Sequence, residues 1–267
     1  MQLSSLRGPV TGGGPPLVLL HGFALDARVW TNQLKGLALR WPVVALDLRG
    51  FGASASAPDR QVPSMEVMAD DVAATMERLS VGPAYVAGLS MGGYVAMAML
   101  RRRPDLVVGL VLADTRHEAD DDARRRERER LAKVVEEQRS VRVIIEEVAP
   151  RFTGTTTRSR RPDVQELVDA MVASTSWRAA AWALRAMATR PPSTEALRRF
   201  DGPALVVAGA EDVISPPSLA REMAASLPRG KFVEIADAGH LSPLESGTAF
   251  DRAVLDWIEQ AHEEGSG

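Results

Sequence analysis

Gly88-Leu89-Ser90-Met91-Gly92, followed by Gly93, is a G-x-S-x-G segment set between two different apolar patterns. Before it runs Ala84-Tyr85-Val86-Ala87, a short continuous apolar stretch of the kind that forms a buried strand. After it come Tyr94, Val95, Met97 and Leu100, spaced for one face of a helix, with Ala96 and Ala98 between them. Strand, sharp turn and helix together present a serine at the apex of the turn, the arrangement called a nucleophile elbow. Glycine is needed on both sides because a side chain there would press on the neighbouring strand or helix. The helix start also aims its free N–H groups and positive dipole end at Ser90.

The same alternation extends along the chain in both directions. Strands are expected at Leu17–Leu20, Val43–Asp47, Ala84–Leu89, Val107–Ala113, Ala204–Ala208 and Lys231–Ile235, with amphipathic helices between them. Met65–Leu79 and Thr248–Ala261 are two such helices. Short Val/Leu-rich runs alternating with helices imply an α/β fold, a doubly wound, mostly parallel sheet. Gly12-Gly13-Gly14-Pro15-Pro16 forms a loop and leaves only a short N-terminal segment for an extra edge strand. From about Thr115 to Ser193 the alternation stops. That stretch opens with the charge-dense Arg116–Arg130, continues in helical patterns and closes at Pro191-Pro192. It reads as a helical cap (115–193) inserted between two parts of a core (1–114 and 194–267). The charge run itself reads as a solvated helix face with i,i+4 pairs.

Composition narrows the function classes. The 267 residues are 45% hydrophobic and 25% charged, with a formal net charge of −3, so nothing favours nucleic acid or an anionic membrane. There is no cysteine, which excludes thiolate catalysis, disulfides and cysteine-ligated metals. The expected compartment is cytoplasmic, because no basic, apolar leader opens the sequence and Pro16–Leu20 is too short for a bilayer.

A serine hydroxyl needs a base to take its proton, and the base needs an orienting acid. Of four histidines, His240 in Asp237-Ala238-Gly239-His240 follows the last expected strand, at the sheet edge where sites gather. It is the candidate base. His117 and His262 are expected to be solvated, and His21 to shape its own loop. The candidate acid is Asp212, in the loop after Ala204–Gly209, with Glu211 as a solvated neighbour. Asp114, at the end of Leu110-Val111-Leu112-Ala113, is the second choice. The backbone N–H groups of Met91 and of Phe23, in His21-Gly22-Phe23, are the candidate oxyanion donors.

With these residues assigned, the chain resembles the α/β-hydrolase superfamily over nearly its whole length. The matching segments are His21-Gly22-Phe23, Asp47–Ser54, Gly88–Gly93, Gly209-Ala210-Glu211-Asp212 and Gly239-His240. The resemblance implies an eight-stranded sheet with the cap after the sixth strand, and makes Asp47–Ser54 a structural turn. Serine at the elbow argues against the dehalogenases and epoxide hydrolases, which use aspartate. Gly88–Gly93 and Leu110–Thr115 are similar to small carboxylesterases and 3-oxoadipate enol-lactonases. His21–Asp26 with Trp30 also resembles esterases related to cofactor-free haloperoxidases. Those peroxidases typically carry proline where this chain has Ala24, so ester hydrolysis is expected ahead of peracid formation.

The expected activity is hydrolysis of a small-molecule ester or lactone through an acyl-serine, with no metal or organic cofactor implied. Carbon–carbon or amide hydrolysis on the same residues, and a non-hydrolytic receptor on a hydrolase scaffold, are the alternatives. The sequence does not single out an oligomeric state, nor which of Trp30, Trp177, Trp182 and Met187 line the pocket.

Overall fold

The computed structural model describes residues 3–8, 14–54 and 61–266. Among them seven strands form one sheet: β1 (Ser5–Arg7), β2 (Leu17–Leu20), β3 (Val43–Leu46), β4 (Ala84–Leu89), β5 (Val107–Ala113), β6 (Ala204–Gly209) and β7 (Gly230–Ile235). Their order is β1-β3-β2-β4-β5-β6-β7. All neighbours are parallel except β1, which pairs antiparallel with β3 from Ser5 opposite Leu46 to Arg7 opposite Val44. The resemblance implied eight strands; the described residues contain seven, with a single antiparallel edge strand. Gly12 and Gly13 lie outside the described residues.

Every residue of β2, β3, β4 and β6 is buried. Strands apolar throughout must be covered on both faces, which is why the chain returns through a helix after most of them. Helix Met91–Arg102, leaving β4, is buried from Met91 to Leu100 beneath helix Met65–Arg78. Ser64 caps the latter, its Oγ accepting from Val67 N at 3.2 Å. The last helix runs Gly247–Ser266, longer than the apolar pattern suggested, and packs on helix Thr31–Gly36.

Chain order reverses around β4: the connection from β2 to β3 goes one way along the sheet, and that from β3 to β4 comes back across β2. In such sheets this reversal opens a crevice at the carboxyl ends of the central strands. The strand-free stretch between β5 and β6 stands over that end. Its main helices are Asp122–Gln138, Pro162–Ser174 and Trp177–Ala188, the first and last packed closely together. Its two ends meet where Ser193 N donates to His117 O at 2.7 Å.

Candidate active site

Ser90 sits between β4 and its helix with φ 52° and ψ −112°. A non-glycine residue there is strained and needs its surroundings to hold it. Ser90 N donates to Ala113 O at 2.9 Å, and Ser90 O accepts from Gly93 N at 2.9 Å and Thr115 Oγ1 at 2.8 Å. The glycines are steric necessities: a Cβ on Gly92 would lie 2.1 Å from Leu20 O, and one on Gly88 2.3 Å from Gly92 O.

From this serine a chain of hydrogen bonds runs inward. Ser90 Oγ is 2.8 Å from His240 Nε2, and His240 Nδ1 is 2.8 Å from Asp212 Oδ2. An ionised carboxylate only accepts, so Nδ1 carries the proton and Nε2 is left to accept from the Ser90 hydroxyl. Asp212 is fixed in turn, its Oδ1 accepting from Ile214 N at 2.8 Å and Ser215 N at 2.9 Å. His240 N donates to Phe152 O at 3.0 Å, and the two rings stack with centroids 6.2 Å apart. Burial works against charging His240. The opposing pull of Asp212 first, then Asp114 and Glu245, prevails and holds its pKa above 6.5.

The second-choice acid is placed differently. Asp114 is fully buried; its Oδ1 accepts from Gly209 N at 2.8 Å and its Oδ2 from Ser242 N and Oγ at 2.9 and 2.7 Å. It ties the two loops that carry Asp212 and His240 together and makes no bond to the imidazole. Burial, with Asp212 adding to it, pushes its carboxyl up to about 7.

The His21–Phe23 loop lies beside the serine, since a Cβ on Gly22 would stand 3.5 Å from Ser90 Cβ. Among the described residues neither Phe23 N–H nor Met91 N–H has an acceptor. His21 shapes this loop: its Nδ1 donates to Gly22 O at 2.8 Å and its Nε2 accepts from Leu48 N at 2.9 Å. Burial lowers its pKa, so it stays neutral and keeps that tautomer. Asp47 is structural as well, bonding Ala27 N and Ala53 N at 2.8 and 2.9 Å.

Ser90 and His240 open onto a cavity of about 260 Å³ walled by Phe23, Tyr94, Leu131, Phe152 and Met187. Charged side chains of the inserted segment, Arg124, Glu127, Arg128, Glu147 and Arg151, also line it. A larger surface groove of about 610 Å³, between Leu100 and Gly202, holds none of the candidate residues. Among the described residues no three His, Asp or Glu side chains converge as metal ligands.

Several expectations need correcting. The charge run is not simply a solvated face: Arg124, Glu127 and Arg128 turn toward the cavity, and Arg116 is only 5% exposed. His117 is buried with Nδ1 unbonded, and His262 lies in the last helix with its ring edge-on to Trp41. Glu211 is held rather than solvated, accepting from Thr156 N and Thr155 Oγ1 at 2.9 Å each and so capping helix Thr155–Arg160. Of the four residues left open as pocket walls, Met187 lines the cavity and Trp30 is core. Ala24 has φ 57°, a left-handed conformation closed to proline, so the loop could not take the peroxidase residue without rebuilding.

Sequence reasoning missed Glu245 and Phe152. Glu245 is 4% exposed, and its two oxygens accept from Leu241 N and Gly154 N at 2.9 and 2.7 Å, pinning the inserted segment to the His240 loop. A glutamate five residues after His240 is a legible feature; Phe152 carries no such signal, since only the fold sets it on the imidazole.

Fold, elbow and loop geometry define an α/β hydrolase. A family model described as alpha/beta hydrolase fold matches residues 15–246, and the chain belongs to that family. Among solved structures it is similar to a thermophilic esterase from Thermogutta terrifontis in its malate-bound form, at 38% identity and TM-score 0.91, covering 97% of this chain and 94% of that one. The enol-lactonase from Burkholderia xenovorans LB400 is similar at 26% identity and TM-score 0.86, covering 96% of each chain. The Mycobacterium tuberculosis H37Rv protein that carries the name non-heme bromoperoxidase BpoC is 31% identical over 256 residues, 92% of this chain and 95% of its own.

Proposed function

We propose that the chain hydrolyses small carboxylic esters or lactones through an acyl-serine, beneath a cap formed by residues 115–193. Ser90 Oγ attacks the carbonyl carbon while its proton passes to His240 Nε2. The carbonyl oxygen, now an anion, takes the free N–H groups of Phe23 and Met91. Collapse breaks the bond to the alcohol oxygen, which leaves with the proton from Nε2. Water then gives a proton to Nε2, adds to the acyl carbon and releases the acid, and Ser90 recovers its proton. Asp212 keeps Nδ1 protonated throughout and stabilises the imidazolium.

The reading rests on one observation above all: an unbroken Ser90–His240–Asp212 hydrogen-bond chain that ends on a cavity wall. The cavity is near the small end of the range for ligand pockets, which suits a small substrate. The likeness to an esterase and an enol-lactonase supports the same chemistry.

The test is a p-nitrophenyl ester series beside a panel of lactones, run on wild type and S90A, with fluorophosphonate labelling of both. Wild type should turn over at least one substrate and take the label. S90A should stay folded, take no label and lose on the order of 10³-fold or more in rate. A folded S90A with most of the activity would remove Ser90 from the reaction, and an unlabelled, inert wild type would favour the receptor alternative.

A further inference from the structure

The cavity over Ser90 carries exposed charged residues at its mouth and a mostly apolar interior. Its buried wall is made by Phe23, Tyr94, Leu131, Phe152, Met187 and His240. Of these six, only His240 and Tyr94 have an N–H or O–H on the side chain, and His240 is committed to Ser90 and Asp212. Tyr94 is 6% exposed, and among the described residues its hydroxyl has no hydrogen-bond partner. A buried phenol normally finds one. The oxygen is not shut inside the core, since it is not among the fully covered polar atoms without a bond. What surface it keeps opens on the cavity that Tyr94 lines.

The ring is held where it is. Tyr94 lies one helical turn after Ser90, and its N donates to Ser90 O at 3.3 Å. Side chains on a helix lean toward its N-terminal end, so the ring reaches back over the turn that presents Ser90. Arg190 covers one face of it, with the guanidinium carbon 3.9 Å from the ring centroid. Arg190 is itself fixed: it pairs with Asp120 at 2.8 Å and donates to Met187 O and Glu118 O at 2.8 and 2.9 Å. Asp120, also buried, takes Arg128 as well, and Arg128 donates to Met187 Sδ at 3.3 Å. Tyr94, Arg128 and Met187 are thus knit into one wall through a buried Arg190–Asp120 pair. The ring has no room to swing toward an acceptor in the protein, so the acceptor must come to it.

We infer that Tyr94 is a specificity-determining residue: its hydroxyl donates to a second oxygen of the substrate, a neutral carbonyl apart from the scissile ester. The inference rests on the hydrolase reading above and narrows its substrate class to keto esters. A neutral acceptor fits because Phe23, Leu131 and Met187 surround the site with apolar surface, where an uncharged group costs little to desolvate.

The test uses pairs of esters matched in shape, one with a ketone and one with a branching methyl in its place. Methyl levulinate against methyl isocaproate puts the ketone on the acyl side, and acetonyl butyrate against isobutyl butyrate puts it on the alcohol side. Y94F removes the hydroxyl and keeps the ring under Arg190. Each ester's own reactivity cancels when the keto-to-alkyl ratio of kcat/KM is compared between wild type and Y94F. That ratio should fall about three- to tenfold in Y94F for at least one pair, what one neutral hydrogen bond provides. Ratios unchanged in both pairs would overturn the contact. Titration of the same esters into S90A by calorimetry gives a reading free of turnover and of any change at Tyr94. S90A should bind the keto member of one pair at least as tightly as its more apolar partner, and S90A/Y94F should bind that keto ester more weakly. Alkyl esters bound more tightly by S90A in both pairs would overturn the contact even if Y94F does not fold. If wild type cleaves no ester, the hydrolase reading fails, and the S90A titrations alone decide whether Tyr94 receives the ketone.

Discussion

Asp212→Asn isolates the role of the acid, because the structure dictates how the asparagine must sit. Oδ1 of Asp212 accepts from two backbone N–H groups, Ile214 at 2.8 Å and Ser215 at 2.9 Å, so the amide oxygen is held on that side. The amide NH₂ then takes the place of Oδ2, 2.8 Å from His240 Nδ1. Two donors cannot face each other, so Nδ1 must give up its hydrogen and Nε2 must carry it. Nε2 is the atom 2.8 Å from Ser90 Oγ, and a protonated Nε2 cannot accept the serine proton. The expected loss in kcat is about 10⁴-fold, near 5.5 kcal/mol, with little change in fold. The control is Asp114→Asn, which keeps the tautomer and loses one of three accepted bonds. It should cost about 1–3 kcal/mol of stability and much less than D212N in rate. Steady-state kinetics on a p-nitrophenyl ester, with urea melts of each variant, decide between them. A D212N enzyme within tenfold of wild type, beside a folded but inactive D114N, would move the acid to the end of β5 and refute the tautomer argument.

Three further outcomes are expected. With chemistry limiting, kcat/KM should rise with pH as His240 loses its proton, with a midpoint above 6.5 because Asp212, Asp114 and Glu245 outweigh burial; a midpoint below 6 would mean that they do not. Ala24→Pro forces φ from 57° toward about −65°, so it should destabilise the protein by well over ~1 kcal/mol and lower ester and peracid activity together, read by thermal melts and both assays; a stable A24P that only shifts the ratio would show that the loop can rebuild. Asp251, half-buried and pushed up to about 6 chiefly by burial, keeps its proton at pH values where the unfolded side chain, near 3.9, has lost it; its contribution to stability falls as pH rises between those values. Asp251→Asn should therefore gain roughly 1 kcal/mol at pH 7.5, discounted for partial exposure, and melts at pH 4 and 7.5 check that the gain is confined to the higher pH.

The sheet was legible because its strands are short apolar runs that nothing else in the chain imitates. All six expected strands match to within one residue at each end, and β2, β4 and β5 match in full. β1 was not: Ser5-Leu6-Arg7 is three half-exposed residues whose only claim to strand is their pairing with β3. The candidate Ser90, His240 and Asp212 were legible because each follows a strand at the end where loops converge. Residues brought in from the insertion were not, since helical periodicity identifies a buried face but not what it covers. Arg116, Arg124 and Arg128 therefore read as part of a solvated charge run, although one is buried and two line the cavity.

Three carboxylates act on His240, and only one of them is bonded to it. Asp114 and Glu245 are held on backbone N–H groups instead, Asp114 by Gly209 and Ser242, Glu245 by Gly154 and Leu241. Such anchoring has two consequences for the proposed reaction. Neither group can swing in to compete with Asp212 for Nδ1, so the tautomer is not contested. Both stay in place when the imidazolium forms, and groups already fixed need no reorganisation as the proton arrives. Glu245 adds a mechanical link, because the residue it holds in the insertion, Gly154, lies two positions after the Phe152 that stacks on the imidazole. Lifting the insertion would break the Gly154 bond, remove Phe152 from the ring and let water reach His240. The carboxylate that seats this segment thus also adds, after Asp212 and Asp114, to the pull on the base.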